Sequence, residues 1–381
     1  MKELMMKKRV CECCGSSDLE SVFRDKTMVK TRAQIYRLES FVVICRNCGF
    51  CFNSPSPVKE ELMEYYADCL SVNIAVPLAY SIETRLETLK RYAGGNFVEI
   101  GGNQSDKFHE RIKGLFLSTR NIEPNLEIAA GSETIDKLEK NSVDVLAFYD
   151  VLEHVADVRD FLRACKSSLK EGGVMIVEVP NIKYYPKNLM LLSAEHLNHF
   201  SPFALERIAR RCGFDLIEIS HTASRPFSFL AVFKKGKIRK YSGGYNEYLD
   251  NLACLRGGVN QIDRVMLKIN NLRDKIIKLK DKKIVLWCVT DFLYRFLEGY
   301  KLPQDVIVVD SDSRKKDHLS VPVYQPAEKL DFIRQSDLLV IFSPRNKTSI
   351  LDWILENTGE EFNGKKLEVI GCGVYGEPLQ V

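Results

Sequence analysis

Between Asn96 and Lys235, short apolar runs alternate with amphipathic stretches, and this alternation constrains the fold more than any other feature of the chain. FVEIG (97–101) reads as a short buried strand, LFLSTRNIEP (115–124), LEIAA (126–130) and VMIVEVP (174–180) as further strands, and VDVLAFYDVLEH (143–154) as a strand that runs into a charged loop. Val158 to Leu169 places Phe161, Leu162, Cys165 and Leu169 on one helical face, and Gly172-Gly173 is expected to end that helix. Pro202 to Cys212 reads as another helix, capped by Gly213. DLIEISHTA and FSFLAVFKK follow as a strand pair. Strands that alternate with helices imply a mostly parallel sheet covered on both faces.

A second alternating series begins at Lys283. KIVLWCV, DVIVVD, DLLVIFS and LEVIG read as strands, with VPVYQP between the second and third, and helices at Asp291–Tyr300 and Thr348–Asn357. Between the two series, Ile262, Val265, Met266, Ile269, Leu272, Ile276 and Leu279 recur at helical spacing among basic residues. From Lys234 to Lys283 there are 14 Lys/Arg against 5 Asp/Glu, a local +9 in a chain of net +4. The rest of the chain is therefore near −5, which argues against a nucleic-acid partner. No apolar run is long enough to cross a bilayer, and the basic N-terminus has no apolar segment behind it, so a cytoplasmic protein is expected.

Six of the 12 cysteines fall in the first 51 residues. Cys11/Cys14 in CECCG and Cys45/Cys48 in CRNCG form two Cys-x-x-Cys pairs, each followed by glycine. A turn-borne pair offers two adjacent corners of a tetrahedron, so two pairs suit a closed, structural Zn²⁺ site. Cys13 and Cys51 are spare thiols, either of which could replace a ligand.

In VEIGGNQS (98–105), glycine stands where a strand turns into a helix, so the backbone can approach a ligand. Glu123, at the tip of the second strand, could accept hydrogen bonds from the ribose hydroxyls of a nucleoside. The pattern is not the GxGxxG of pyrophosphate binding. It resembles the E-x-G start of class I S-adenosylmethionine methyltransferases, and YDVLEHVADVRDFLRACKSSLKEGGVMIVEVPN (149–181) resembles their fourth strand, following helix and fifth strand.

The whole chain resembles one family, the sugar C-methyltransferases that act on nucleotide-linked keto-deoxysugars. CECCGSSDLESVF and VICRNCGFCFNSPSP match the halves of its zinc module, and SAEHLNHFSPFALERIARRCGF (193–214) resembles its Glu-His segment. Where the family carries a tyrosine two residues before the Glu-His pair, this chain has Ser193. Where its C-terminal domain opens on a glycine-rich turn, this chain reads LWCVTDFLYRFL.

The resemblance implies an α/β fold with a class I methyltransferase core, flanked by a small zinc module and a second Rossmann-like domain. The expected divisions are a zinc-binding module at 1–58, a helical linker at 59–92, the methyltransferase domain at 93–235, a basic helical connector at 236–283 and the C-terminal domain at 284–381. It implies S-adenosyl-L-methionine as cofactor, held by Glu99, Gly101, Gly102, Asn103, Glu123 and Asp150. Structural Zn²⁺ would sit on Cys11, Cys14, Cys45 and Cys48.

His196, Glu195 and His154 would do acid–base work, with His199 as a reserve base one helical turn from His196. The implied reaction is C-methylation beside a ketone, with a histidine removing the proton. Alternatives are O-methylation of a sugar or phosphorylated small molecule, and a zinc-containing scaffold with a degenerate core. The expected partner is an anionic nucleotide sugar, with no membrane or nucleic acid, and the protein a monomer or homodimer.

Overall fold

The computed structural model describes residues 2–69, 78–102, 106–123, 135–187, 192–221, 227–240, 244–316, 319–359, 361–362 and 366–371. Asn103 and the expected strand at 126–130 lie outside these residues. The chain divides into two compact units. One comprises Met1–Lys26, Lys30–Pro186 and Leu191–Gly257, and the other Thr27–Val29, Lys187–Met190 and Gly258–Val381.

The first unit opens with strands β1 (Lys2–Glu3), β2 (Met6–Lys7), β3 (Leu19–Lys30), β4 (Ile35–Cys45), β5 (Cys51–Asn53) and β6 (Ser56–Pro57). Along β4, buried and half-buried residues alternate, as expected of a strand with one face on a core. Helices α1 (Lys59–Asp68) and α2 (Leu78–Lys90) follow.

The alternating series then supplies β7 (Asn96–Ile100), α3 (Asp106–Ile112), β8 (Ser118–Ile122), β9 (Val143–Tyr149), α4 (Val158–Ser168) and β10 (Leu169–Pro180). It continues with β11 (Asn198–His199), α5 (Pro202–Cys212), β12 (Phe214–Ser220) and β13 (Ser228–Lys235).

Six strands form one sheet in the order β12-β13-β10-β9-β7-β8. Its β10-β9-β7-β8 part is parallel, and β13 and β12 complete it antiparallel. Side chains alternate strictly between its faces. Val98, Leu146, Phe148, Met175 and Val177 pack with Leu162 of α4 and Leu205 and Ile208 of α5. Phe97, Val145, Ala147 and Ile176 pack with Leu86 and Leu89 of α2 and Phe108 and Ile112 of α3. A strand covered on both faces needs an unbroken apolar run, which is why VDVLAFY has so little polar content.

Two local readings are corrected. Gly172-Gly173 does not end a helix, because α4 stops at Ser168 and LKEGG already belongs to β10, where a bulge shifts its register against β9. Gly172 supplies the positive φ of +81° that this bulge requires.

His199 is not on a helix either. It lies on β11, which pairs antiparallel with β5, His199 opposite Cys51. A two-residue strand carries no periodicity for a sequence pattern to detect. His199 is buried, with Nδ1 2.7 Å from the Tyr185 hydroxyl. Burial, reinforced by the charges of His196 and Arg9, pushes its pKa down to about 3. At neutral pH that ring is a core histidine, not a reserve base.

Residues 1–58 do not form a separate module. Cys11, Cys45, Cys48, Phe50 and Phe52 belong to the same hydrophobic core as the α4/α5 face of the large sheet. Polar contacts strengthen the join. Glu12 accepts a hydrogen bond from the Arg159 backbone N–H at 2.8 Å and pairs with Arg9. Glu12 thereby caps the start of α4, whose own N-cap residue, Asp157, makes no capping bond. Arg211 of α5 donates to the Glu12 and Cys13 carbonyls at 3.2 and 2.8 Å.

Helix α6 (Tyr248–Lys278) contains the unit boundary. Its Val265, Ile269, Leu272 and Ile276 belong to the core of the second unit. There β14 (Ile284–Trp287), α7 (Asp291–Leu297), β15 (Val306–Val309), β16 (Val323–Tyr324), α8 (Leu330–Arg334), β17 (Leu338–Ile341), α9 (Lys347–Thr358) and β18 (Leu367–Val369) follow. The sheet order is β16-β15-β14-β17-β18, all parallel, as the second alternating series predicts. The turn after β14 has Cys288 at φ +78° where glycine would be the relaxed choice. Asp310, beyond β15, accepts from the Val289 N–H at 2.7 Å and from Lys315 at 3.2 Å, and is thus engaged within its own unit.

Two predictions follow from these contacts. Glu12→Ala leaves Arg9 without its buried counter-charge and α4 uncapped, so urea unfolding should show a loss of about 3 kcal/mol. Between about pH 3 and 6.5 the unfolded chain protonates residue 199 and the folded chain does not, so stability falls as pH falls through that window. From pH 7 to 5 the loss should be about 2 kcal/mol, and urea titrations of His199→Gln should lack that component.

Candidate functional site

The C-terminal ends of parallel strands, where loops gather and backbone groups are unpaired, are where α/β sheets bind ligands. Here the ends of β7, β8 and β9 carry most of the expected residues.

Gly101 turns the chain out of β7 with φ +71°, and a Cβ there would lie 2.5 Å from Val151 Cγ2. A Cβ on Gly102 would lie 2.6 Å from Asn121 Oδ1. Asn121 clamps this turn from β8, accepting from the Gly102 N–H at 3.2 Å and donating to its carbonyl at 2.8 Å. Both glycines are therefore obligatory. Glu123, just beyond β8, is buried. Glu99 points to the α2/α3 face and lies 2.8 Å from His109 Nε2, a partner that no sequence motif marks.

Asp150, after β9, holds φ +56°, and its N–H donates to the Glu178 carbonyl at 2.9 Å. Arg85 of α2 reaches both acids, 3.5 Å from Asp150 and 3.4 Å from Glu178, with its guanidinium 4.0 Å from the Tyr149 ring centre. Burial works against the charge on Arg85, but the Glu178 and Asp150 carboxylates outweigh it and hold its pKa above the usual value. Arg85 and Glu178 escape sequence reading because 93 residues separate them.

Immediately after Asp150, a single 3₁₀ turn, Leu152–His154, presents His154. Val151, whose side chain meets the Gly101 turn, leads directly into this 3₁₀ turn. The His154 and His196 rings lie edge to face, 4.8 Å apart. His154 Nδ1 is 3.0 Å from the Glu195 backbone carbonyl and 3.0 Å from the Tyr66 hydroxyl. The Tyr65 hydroxyl donates to Glu195 Oε1 at 2.6 Å. Burial first, then the Glu195 charge, pushes both phenol pKa values well above the usual range. They therefore remain neutral donors. Three of the four expected catalytic residues thus meet, and α1 brings the phenols of Tyr65 and Tyr66 to them.

Asn198 holds this arrangement from below. Its amide donates to the carbonyls of Leu152 at 3.1 Å and Val155 at 2.7 Å, and its oxygen accepts from Arg9 at 2.8 Å. A cavity of about 80 Å³ opens beside the cluster, lined by Leu4, Arg37, Tyr65, Tyr66, Glu195 and Leu197 among others.

The thiols of Cys11, Cys14, Cys45 and Cys48 all lie within 4.8 Å of one another, with Cys11–Cys48 and Cys14–Cys45 both at 3.5 Å. Tetrahedral Zn²⁺ with bonds of about 2.3 Å needs sulfurs about 3.8 Å apart, so the four residues fit the ion. In each Cys-x-x-Cys-Gly turn the glycine N–H donates to the carbonyl of the first cysteine, and Gly15 and Gly49 adopt φ +88° and +82°. Cys51, on β5, is buried and lies outside the cluster.

Comparison with known proteins agrees with this layout. Residues 78–219 match the family model described as a methyltransferase domain. A ubiquinone biosynthesis O-methyltransferase of Cupriavidus pinatubonensis is 29% identical over 114 residues, 27% of this chain and 45% of that protein. One from Caulobacter vibrioides is 33% identical over 88 residues, 22% of this chain and 35% of that protein. The chain thus spans less than half the length of these two relatives. Among solved structures, an S-adenosylmethionine-dependent methyltransferase of Mesorhizobium loti aligns with 42% of this chain and all of its own at TM-score 0.34 and 16% identity. The residues that match the methyltransferase domain contain the glycine turn, the Asp150–His154 segment and the four parallel strands β7 to β10 that carry them.

Proposed function

We propose that this chain transfers the methyl group of S-adenosylmethionine to a hydroxyl oxygen of a small polar acceptor. The observation that carries the reading is the His154–His196–Tyr66–Glu195 cluster beside the Gly101 turn. S-Adenosylmethionine supplies an electrophilic methyl on a sulfonium. The chain must hold it, orient the acceptor and take up the acceptor's proton. Gly101, Gly102, Glu123 and Asp150 stand where the cofactor would be held, with Glu99 fixing the turn from beneath through His109. Imidazole side chains such as His154 and His196 offer proton-accepting capacity near neutral pH. The names of the relatives above support transfer to oxygen.

A second reading is C-methylation beside a sugar ketone. The resemblance over the whole chain favours it, and so does Tyr66, whose hydroxyl could donate to an enolate oxygen. The four cysteines fit a structural zinc ion, which would hold the loop that bears Glu12 against α4.

Calorimetry should detect S-adenosylmethionine binding, and its absence would overturn the reading. His196→Ala should bind cofactor normally while kcat drops about 10²–10⁴-fold. Exchange of substrate α-hydrogen with deuterated solvent should be absent for transfer to oxygen and present for transfer to carbon. Cobalt-substituted protein should show thiolate-to-cobalt charge-transfer absorption, and Cys45→Ala should lose it.

A further inference from the structure

Glu153 is the one member of the cluster that the proposed reaction leaves without a task. It is buried at 1% exposure, beside two half-buried imidazoles. Ligand atoms of Glu153, His154 and His196 all lie within 4.8 Å of one another. From this geometry we infer that Glu153, His154 and His196 form a second metal site, for a catalytic divalent cation such as Zn²⁺ or another first-row metal. The inference deepens the methyl-transfer reading and rests on it for its role.

The tautomer of His154 is the first argument. The Glu195 carbonyl oxygen can only accept, so the 3.0 Å contact puts the proton on Nδ1. Nε2 of the neutral ring then bears a lone pair. Metal-binding histidines are oriented in this way, by donating their other N–H to a carbonyl.

Distance is the second argument. Nε2 lies 3.9 Å from Glu153 Oε1. That is too long for an N–H···O bond of about 2.7–3.2 Å. Tetrahedral ligands with bonds of about 2.1 Å stand about 3.4 Å apart, so this pair would close by about 0.5 Å on a shared ion. A contraction of at most about 1.4 Å would bring in the third ligand.

Donor chemistry is the third argument. Two imidazoles and one carboxylate suit zinc and its first-row neighbours rather than magnesium or calcium. Three protein ligands leave a coordination position open, as catalytic sites do. The closed four-thiolate site has none.

With the cation bound, the imidazoles would serve as ligands in place of the base role given above: an acceptor hydroxyl would bind the cation through oxygen, which lowers its pKa, and its proton would pass to solvent. The alkoxide oxygen then uses a lone pair to form the C–O bond to the methyl group. The S–C bond breaks, and its electron pair returns to sulfur, leaving the neutral thioether.

The test is metal stoichiometry in cobalt-reconstituted full-length protein. Wild type should bind two equivalents per chain, one with thiolate-to-cobalt absorption and one with only weak visible bands. Glu153→Gln and His196→Gln should each lose the second equivalent and keep the thiolate band, which also reports that the fold survives. A single equivalent in wild type, or a second one that persists in both variants, would overturn the site. Calorimetry with S-adenosylmethionine on the same samples separates the outcomes. Cofactor binding with one metal removes only the second site, whereas no cofactor binding removes the methyltransferase reading.

Discussion

The buried pair of Arg9 and Glu12 is the junction through which the rest of the first unit is held. Both side chains are over 90% buried, where an isolated charge of either sign would be expensive. The two charges satisfy each other, and each has further partners. Glu12 caps α4, and Arg9 reaches the Asn198 side chain, the Asn53 and Leu197 carbonyls and the face of Phe52. A cysteine loop, two strand ends and the first turn of α4 therefore share one ionic knot. The 3₁₀ turn that carries His154 hangs from the same knot through Asn198. Thiolate cluster and imidazole cluster are thus parts of one scaffold, although they use different chemistry.

The large sheet explains where polarity is tolerated. The middles of β7, β9 and β10 are apolar on both faces, so their charged side chains lie toward the strand ends. On the α2/α3 face each acid meets a base from the helix that crosses it. Glu99 meets His109 of α3, while Glu178 and Asp150 meet Arg85 of α2. These helices supply both packing and counter-charge. The arrangement leaves the strand ends rigid enough to hold Asp150 in a left-handed conformation that costs an ordinary residue of order 1 kcal/mol or more.

What was legible in the sequence follows the range of each interaction. The Cys-x-x-Cys-Gly turns are local, so spacing alone identified all four clustered thiols. Strand and helix order in both α/β series was legible because burial on two faces leaves a continuous apolar signature. The Glu195–His196 and Glu153–His154 pairs could be picked out as chemistry, but not the fact that they meet. Arg85, Glu178, Asn121 and Tyr66 were invisible as site residues, since their partners lie 19 to 93 residues away. His199 was misread for the opposite reason. Spacing of three from His196 suggests a shared helical face, but β11 pairing with β5 turns the two side chains into different surroundings.

That separation also assigns the histidines their different chemistry. His199 is enclosed, with its ring against Tyr185 and its pKa driven down by burial, so it contributes packing and acid sensitivity. His154 and His196 are only partly enclosed, which is what the proposed exchange of a proton or a ligand requires of them. Three residues of chain cannot give two imidazoles such unlike environments on one helix turn. The strand between them does so, because β11 pairs with β5 in the N-terminal sheet. The N-terminal strands thereby set which of the histidines is enclosed and which two stay partly open.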